Sequence, residues 1–230
     1  DKLSARVQTA AKAEQDNWKL NLEWAYLAYE VNDHLTVRGG RLRPSVYMFS
    51  ETLDVGYAYP WLRLPDEVYS LFPISNLEGA DVLYSIPLSF GSLDLQLQYG
   101  QAINRNFYVE GADGLLDFDV KKSVSGSIAL NTNDFGTFRF GYAEGDSKVD
   151  GNDGGKGKFS SFGHRYDNGT IVTNAEVVER RSPAATTDAF YVMTGYRVGD
   201  FLPHVTYAQM DLHDGGRQSS WAYGLNYSLT

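Results

Sequence analysis

The sequence predicts an all-β fold, an antiparallel transmembrane β-barrel, on two observations. Apolar residues recur at every second position, most plainly in segments 18–26 and 221–229. Because successive strand side chains point to opposite faces, such a segment has one apolar wall and one polar wall. Short turns and long connections also alternate along the chain, which is the rhythm of the two rims of an outer-membrane barrel.

The alternation predicts about ten strands in a single β-barrel domain spanning residues 1–230. The predicted strands are residues 3–13, 18–31, 35–43, 77–88, 93–101, 115–130, 137–143, 189–198, 202–212 and 219–229. A further short strand is expected at 170–178. Turn-forming residues separate several neighbours, as at 32–34, 89–92 and 199–201.

Three connections are predicted to be long. The first, residues 44–76, contains four prolines, which makes a central strand there unfavourable. The second covers residues 102–114. The third, residues 144–187, is rich in glycine and aspartate at its start and is predicted to be a long external loop. Its segment 145–155 lacks the spacing of a calcium-binding loop, so it is interpreted as solvated, with weak divalent-ion binding as the alternative.

Composition excludes several classes of protein. The 230 residues carry a net charge of −9, which argues against nucleic-acid binding. The absence of cysteine rules out disulfides and thiolate metal sites. Mean hydropathy is −0.35, with no long apolar run, so no helical membrane span is expected. A barrel remains compatible, since alternate residues alone face lipid. The four histidines have no metal-ligand spacing, and no cofactor, metal or catalytic residue is predicted.

The two predicted walls differ in chemistry. The polar wall carries charge of both signs, on Arg6, Lys12, Lys19, Glu23, Arg38, Asp94, Gln96, Gln98, Asp117, Asp119, Lys121 and Arg139. The opposite wall carries aromatic residues near strand ends, namely Trp18, Trp24, Tyr99, Tyr142, Tyr196 and Trp221. An aromatic girdle at the membrane interfaces has this pattern. The solvated face of a soluble β-sandwich would resemble the polar wall.

The third predicted strand and the connection after it hold the densest cluster of charged residues. A connection so rich in aromatic residues and proline is expected to fold against another part of the protein. Folded into a barrel lumen, its carboxylates would face wall arginines and form a charged constriction. The predicted constriction residues are Arg38, Arg41, Arg43, Glu51, Asp54, Arg63, Asp66 and Glu67. The alternative is that these charges form salt bridges at the rim, each contributing about 0 to 1 kcal/mol.

The same region resembles a known family. Segments 40–44 (GRLRP) and 50–69 (SETLDVGYAYPWLRLPDEVY), preceded by 24–27 (WAYL), are similar to the signature region of Gram-negative outer-membrane porins. The resemblance covers about residues 18–84. It implies a channel for passive diffusion of small hydrophilic solutes and ions, commonly trimeric, with a loop folded into the pore. Its surroundings would be outer-membrane lipid and lipopolysaccharide. Such barrels commonly have about sixteen strands, so this chain is expected to be part of a larger barrel.

Two other functions remain open from sequence. One is an outer-membrane barrel enzyme such as a lipid hydrolase, although no Gly-x-Ser-x-Gly motif marks a nucleophile. The other is a soluble all-β binding domain, which can show the same alternation within strands. A diffusion channel with no enzymatic activity is the function that the sequence favours.

Overall fold

The computed structural model describes residues 2–14, 17–53, 55–72, 74–108, 115–213 and 215–228. These residues form one antiparallel sheet of twelve strands, and each strand pairs with its neighbours in sequence. The strands are β1 (Leu3–Glu14), β2 (Asn17–Asn32), β3 (Leu35–Leu42), β4 (Leu77–Leu88), β5 (Gly91–Tyr108), β6 (Leu115–Thr132), β7 (Gly136–Val149), β8 (Asn152–Asp167), β9 (Ile171–Arg181), β10 (Thr186–Tyr196), β11 (Phe201–Leu212) and β12 (Gly216–Tyr227). Over the described residues the sheet is not closed, since its edges β1 and β12 do not pair with each other.

The sheet is apolar outside and polar inside. Its convex face exposes large apolar side chains, including Leu27, Leu97, Ile128, Val177 and Leu225. Its concave face buries polar side chains, including Arg38, Asp81, Gln98, Asn174 and Thr206. A soluble sandwich would bury the apolar wall instead. The distribution is therefore that of a barrel whose outer face contacts lipid and whose interior is hydrated.

The prediction of ten strands is wrong, and most of the error lies in the predicted external loop at 144–187. That range contains the end of β7, all of β8 and the start of β10, whereas β9 confirms the short strand expected at 170–178. Asp150 and Gly151 have φ angles of 48° and 77° and make a two-residue turn between β7 and β8. Asp-Gly is the residue pair that such hairpins favour, because both central positions need positive φ. Residues 102–108, predicted as a connection, likewise continue β5.

A β-bulge changes which residues of β2 face inward. Gln8 pairs with Trp24, whereas Thr9 pairs with Leu22, so Glu23 is the extra residue on β2. An extra residue reverses the alternation beyond it. Leu22 is exposed on the outer face, but Tyr26 is buried on the inner face. Trp24 therefore does not belong to the outer aromatic girdle that strict alternation predicts for it.

One connection is long in the structure, and it enters the concave side of the sheet. We call residues 44–76, between β3 and β4, the inner loop. It contains single-turn 3-10 helices at Ser50–Thr52 and Gly56–Ala58 and the one-turn helix α1 (Asp66–Tyr69). None of the helices in the described residues is long and apolar enough to cross a membrane.

Candidate pore constriction

The inner loop has a compact local structure of its own. Near its start, the Ser50 hydroxyl accepts hydrogen bonds from the backbone N–H groups of Val46 and Tyr47, at 3.0 and 2.8 Å. The Tyr47 hydroxyl donates to the Val68 carbonyl at 2.9 Å and accepts from the Phe72 N–H at 3.0 Å. One phenol therefore joins the beginning of the loop to its end and satisfies backbone groups that burial would otherwise leave unpaired.

Hydrogen bonds attach this loop to the inner faces of distant strands. The Ser45 and Ser127 hydroxyls lie 2.8 Å apart on the β6 side. The Trp61 indole N–H donates to Thr206 Oγ1 on β11 at 2.6 Å. Contacts to β6 and β11 at once mean that the loop crosses the concave side of the sheet. It consequently divides the interior into two compartments.

Aromatic packing holds the middle of the loop against the wall. Trp61 and Tyr69 lie against Tyr191 of β10, with ring centroids 5.5 and 6.1 Å apart respectively. Tyr47 meets Phe159 of β8 edge to face at 5.0 Å. Tyr47 and Trp61 are 3% and 5% exposed. Burial of this extent explains why an aromatic connection of this length need not remain in water.

Glu176 of β9 anchors the loop at two points. Its Oε1 accepts a hydrogen bond from the Met48 N–H at 2.8 Å, and its Oε2 accepts one from the Tyr69 hydroxyl at 2.6 Å. Burial, followed by the nearby Glu176 carboxyl group, raises the pKa of Tyr69 well above its usual value. Tyr69 therefore remains a neutral donor throughout the physiological pH range.

Wall arginines meet carboxylates near the start of the loop. Arg38 of β3 forms two hydrogen bonds with Asp81 of β4, at 2.9 and 2.6 Å. Its Nη2 also lies 3.7 Å from Glu51 Oε1 on the inner loop. Its guanidinium lies 5.0 Å from the centre of the Tyr26 ring. The pair is bidentate and largely buried, a geometry that fixes the arginine in position.

On one side of the loop lies a polar cavity of about 450 Å³, which we call the polar chamber. Its lining includes Glu51 of the loop, Asp94 of β5, Arg139 of β7 and Arg165 of β8. Arg139 donates to Ser45 Oγ at 2.5 Å. Carboxylates and guanidiniums on different walls create an electric field across the space between them. The chamber can therefore discriminate solutes by size and charge.

The predicted constriction residues do not all meet at this chamber. Glu51 lines it, and Arg38 reaches Glu51 from the wall. Arg43 is buried beside Glu23, with 3.2 Å between Nη2 and Oε2. The other predicted constriction residues within the described ranges do not line the chamber.

Arg41 projects from the outer face of β3, where it donates to Glu78 Oε1 at 2.6 Å, so the constriction prediction does not hold for it. Arg63 and Asp66 are exposed on the loop away from the polar chamber, whereas Glu67 is buried. Asp54 lies outside the described residues.

Sequence analysis missed residues that complete the site. Asp81, Arg165 and Glu176 contact the loop or its partners, yet none belongs to the predicted set. Arg139 stood on the predicted polar wall but outside the predicted constriction. Arg165 falls in the range predicted as an external loop, and Glu176 falls in the short strand expected at 170–178, for which no wall is predicted. Recognition of the Asp150-Gly151 turn would have extended the alternation through both.

The fold agrees with solved outer-membrane proteins. No family model matches the chain, and no curated protein matches it. OmpF of Salmonella typhi, in a complex with daunomycin, aligns at a TM-score of 0.66 and 17% identity, covering 100% of this chain and 75% of that chain. The predicted fold, an antiparallel transmembrane β-barrel, is confirmed.

Two structures of OmpT from Vibrio cholerae are more distant. The form expressed in the outer membrane has a TM-score of 0.48 and 9% identity, covering 99% of this chain and 85% of that chain. The trimer form folded in vitro has a TM-score of 0.46 and 10% identity, covering 97% of this chain and 84% of that chain.

Among the described residues, no group of three or more histidine and acidic side chains could hold a metal ion.

Proposed function

We propose that this protein is an outer-membrane porin, a water-filled channel for passive diffusion of small hydrophilic solutes and ions. The observation that carries the proposal is the inner loop, which crosses the polar interior of a membrane barrel and forms one wall of the polar chamber. A loop in this place narrows the passage through the barrel interior without blocking it. Because transport is passive, no covalent step or cofactor is involved.

Selection would take place where the loop faces the wall. Glu51 presents negative charge from the loop, and Arg139 and Arg165 present positive charge from β7 and β8. Small ions and dipolar solutes can align between such opposed charges, whereas larger solutes are excluded by the loop itself. We infer that the polar chamber is the narrow part of the route.

We also propose that the working unit is a homotrimer within outer-membrane lipid and lipopolysaccharide. The outer face carries an ion-pair cluster in which Arg41 and Arg105 both donate to Glu78, at 2.6 and 2.7 Å. Arginine facing hydrocarbon at the midplane is destabilising by about 2 to 4 kcal/mol. A neighbouring subunit or lipopolysaccharide head groups would provide the polar surroundings that this cluster requires.

Conductance in planar lipid bilayers tests the porin assignment. Purified protein should produce discrete steps of ohmic current in KCl, and single-channel conductance should scale with salt concentration. Lipid hydrolysis by the protein, without current steps, would favour the barrel enzyme. A folded β-rich protein that stays monomeric without detergent would favour the soluble binding domain. Either result would overturn the proposal.

A further inference from the structure

A second cavity lies on the other side of the inner loop and differs in chemistry from the polar chamber. We call this space of about 200 Å³ the apolar chamber. The end of the inner loop contributes Leu71, Phe72 and Ile74, and strands β6 and β8 contribute Phe118 and Phe159. Phe72 and Phe159 meet edge to face, with 5.2 Å between ring centroids. A hydrated channel for simple ions does not require such a lining.

One positively charged side chain, that of Arg180, reaches the apolar chamber from the inner face of the wall. Arg180 of β9 follows the buried inward positions Glu176 and Val178, and it lines the chamber. Its charge also acts on the buried hydroxyl of Tyr47 inside the barrel. Within the part of the chain that the structure describes, Arg180 forms no ion pair.

Two other charged residues at the border of the chamber, Arg181 and Glu144, are already paired. Arg181 forms an ion pair with Glu179, with 2.7 Å between Nε and Oε1. The Glu144 carboxylate accepts hydrogen bonds from the Tyr142 hydroxyl at 2.9 Å and from Lys156 at 3.0 Å. Lys158 of β8 also borders the chamber and forms no ion pair among the described residues, but it lies opposite Glu144 on the outward side of the wall. Arg180 is therefore the uncompensated charge on the inner side of the chamber, and that charge is positive.

We propose that the apolar chamber is a binding site for small aromatic carboxylates, such as benzoate, on their way through the channel. An apolar cavity of about 150 Å³ holds one benzene ring, so this chamber accommodates a ring with one short polar group. The phenylalanines offer edge-to-face contacts to the ring, and the Arg180 guanidinium offers a bidentate partner to the carboxylate. The proposal deepens the proposed porin function and rests on it.

Calorimetric titration of the purified protein in detergent measures this binding without requiring conduction. Benzoate should bind saturably, whereas acetate, which lacks the ring, and benzyl alcohol, which lacks the charge, should each bind at least tenfold more weakly. R180Q should weaken benzoate binding about tenfold, because a hydrogen bond to a charged group is lost. R180K should recover part of the affinity. R217Q is the matched control, because Arg217 lies on β12 beside Asp211 and outside the apolar chamber, and it should leave benzoate binding unchanged.

Bilayer recordings separate failure of this site from failure of the porin proposal. In a conducting channel, benzoate should reduce KCl current in a saturable manner that R180Q abolishes. Conduction with equal responses to benzoate and acetate would overturn the aromatic-carboxylate site while leaving the porin intact. Equal benzoate affinity in R180Q and wild type would also overturn it. Benzoate binding without any current would support the site but contradict the porin.

Discussion

The Tyr69 hydroxyl donates a 2.6 Å hydrogen bond to Oε2 of Glu176, and this contact joins α1 of the inner loop to strand β9. The same carboxyl group accepts from the Met48 N–H at 2.8 Å. Two loop segments more than twenty residues apart in sequence are thus attached to one wall side chain. The loop position consequently depends on a buried polar contact as well as on aromatic packing.

We expect Tyr69→Phe to loosen the inner loop without unfolding the barrel. The substitution removes one hydrogen bond to a carboxyl group, worth about 1 to 3 kcal/mol, and keeps most of the ring contacts. Single-channel recordings should show larger mean conductance and more open-channel noise. Tyr57→Phe is the control, because Tyr57 lies on the same loop but is 95% exposed. Equal traces from both variants would contradict an anchoring role for Tyr69.

Much of the wall could be predicted from sequence because burial repeats every second residue. The inward positions Gln96 and Gln98, for example, follow directly from the apolar positions between and around them. The alternation failed at Glu23, where one extra residue on β2 turns Tyr26 inward. A bulge of this kind depends on pairing with β1, and no single strand contains that information.

The sequence indicates a cluster of charged residues at the end of β3, but it does not predict the direction in which each side chain projects. Arg41 and Arg43 are two residues apart in sequence, yet Arg41 pairs with Glu78 on the outer face and Arg43 is buried beside Glu23. Arg43 follows the end of β3, so strand alternation no longer determines its direction. Similarly, the partners of the inner loop on β9 and β11 lie more than one hundred residues away. Only the curvature of the sheet brings them together.

Arg165→Gln should shift ion selectivity toward cations. Arg165 lines the polar chamber, and its removal leaves Glu51 and Asp94 facing less positive charge. Two unit charges about 4 Å apart interact by about 1 kcal/mol in water, and salt weakens this further with distance, so the cation-to-anion permeability ratio should rise roughly two- to fivefold. The reversal potential across a KCl gradient measures this ratio.

Arg41→Gln is the matched control for this experiment. It removes the same charge from the outer face, where Arg41 contacts Glu78 rather than the chamber. Its reversal potential should equal that of the wild type. A shift as large as that of Arg165→Gln would mean that selectivity is not set inside the polar chamber.

Strongly alkaline pH should release the inner loop. Burial raises the pKa of Tyr47 and of Tyr69 above the usual value, and the neighbouring Glu176 adds to the effect for both. Above about pH 10 a released loop loses these two protons, while the docked loop keeps them. Docking is therefore fully stable below pH 10 and weakens as pH rises from there toward the raised pKa values. The slope is about 1.4 kcal/mol per pH unit for each tyrosine.

Conductance measured from pH 8 to pH 11.5 would follow this release. Wild-type conductance should be constant up to about pH 10 and then rise, and it should recover when the pH is lowered again. In Tyr69→Phe one of the two titrating groups is absent, so the rise should be shallower. Identical pH profiles for the two proteins would show that Tyr69 does not control the alkaline transition.

Gly141→Ala tests the close approach of loop and wall directly. A Cβ at position 141 on β7 would overlap the carbonyl oxygen of Val46 on the inner loop. That oxygen also accepts a hydrogen bond from the Ser161 hydroxyl, and it belongs to the backbone, so it cannot rotate away as a flexible side chain could. The loop must therefore shift, which should raise conductance and increase proteolysis within residues 44–76.

Gly39→Ala provides the comparison for this substitution. A Cβ at position 39 on β3 would meet nothing within 4 Å, so both the current and the proteolytic pattern should match the wild type. Both variants replace glycine by alanine in a strand, so their intrinsic strand propensities cancel in the comparison. If Gly141→Ala also left the current and the cleavage pattern unchanged, the inner loop could not lie against β7 as the structure has it.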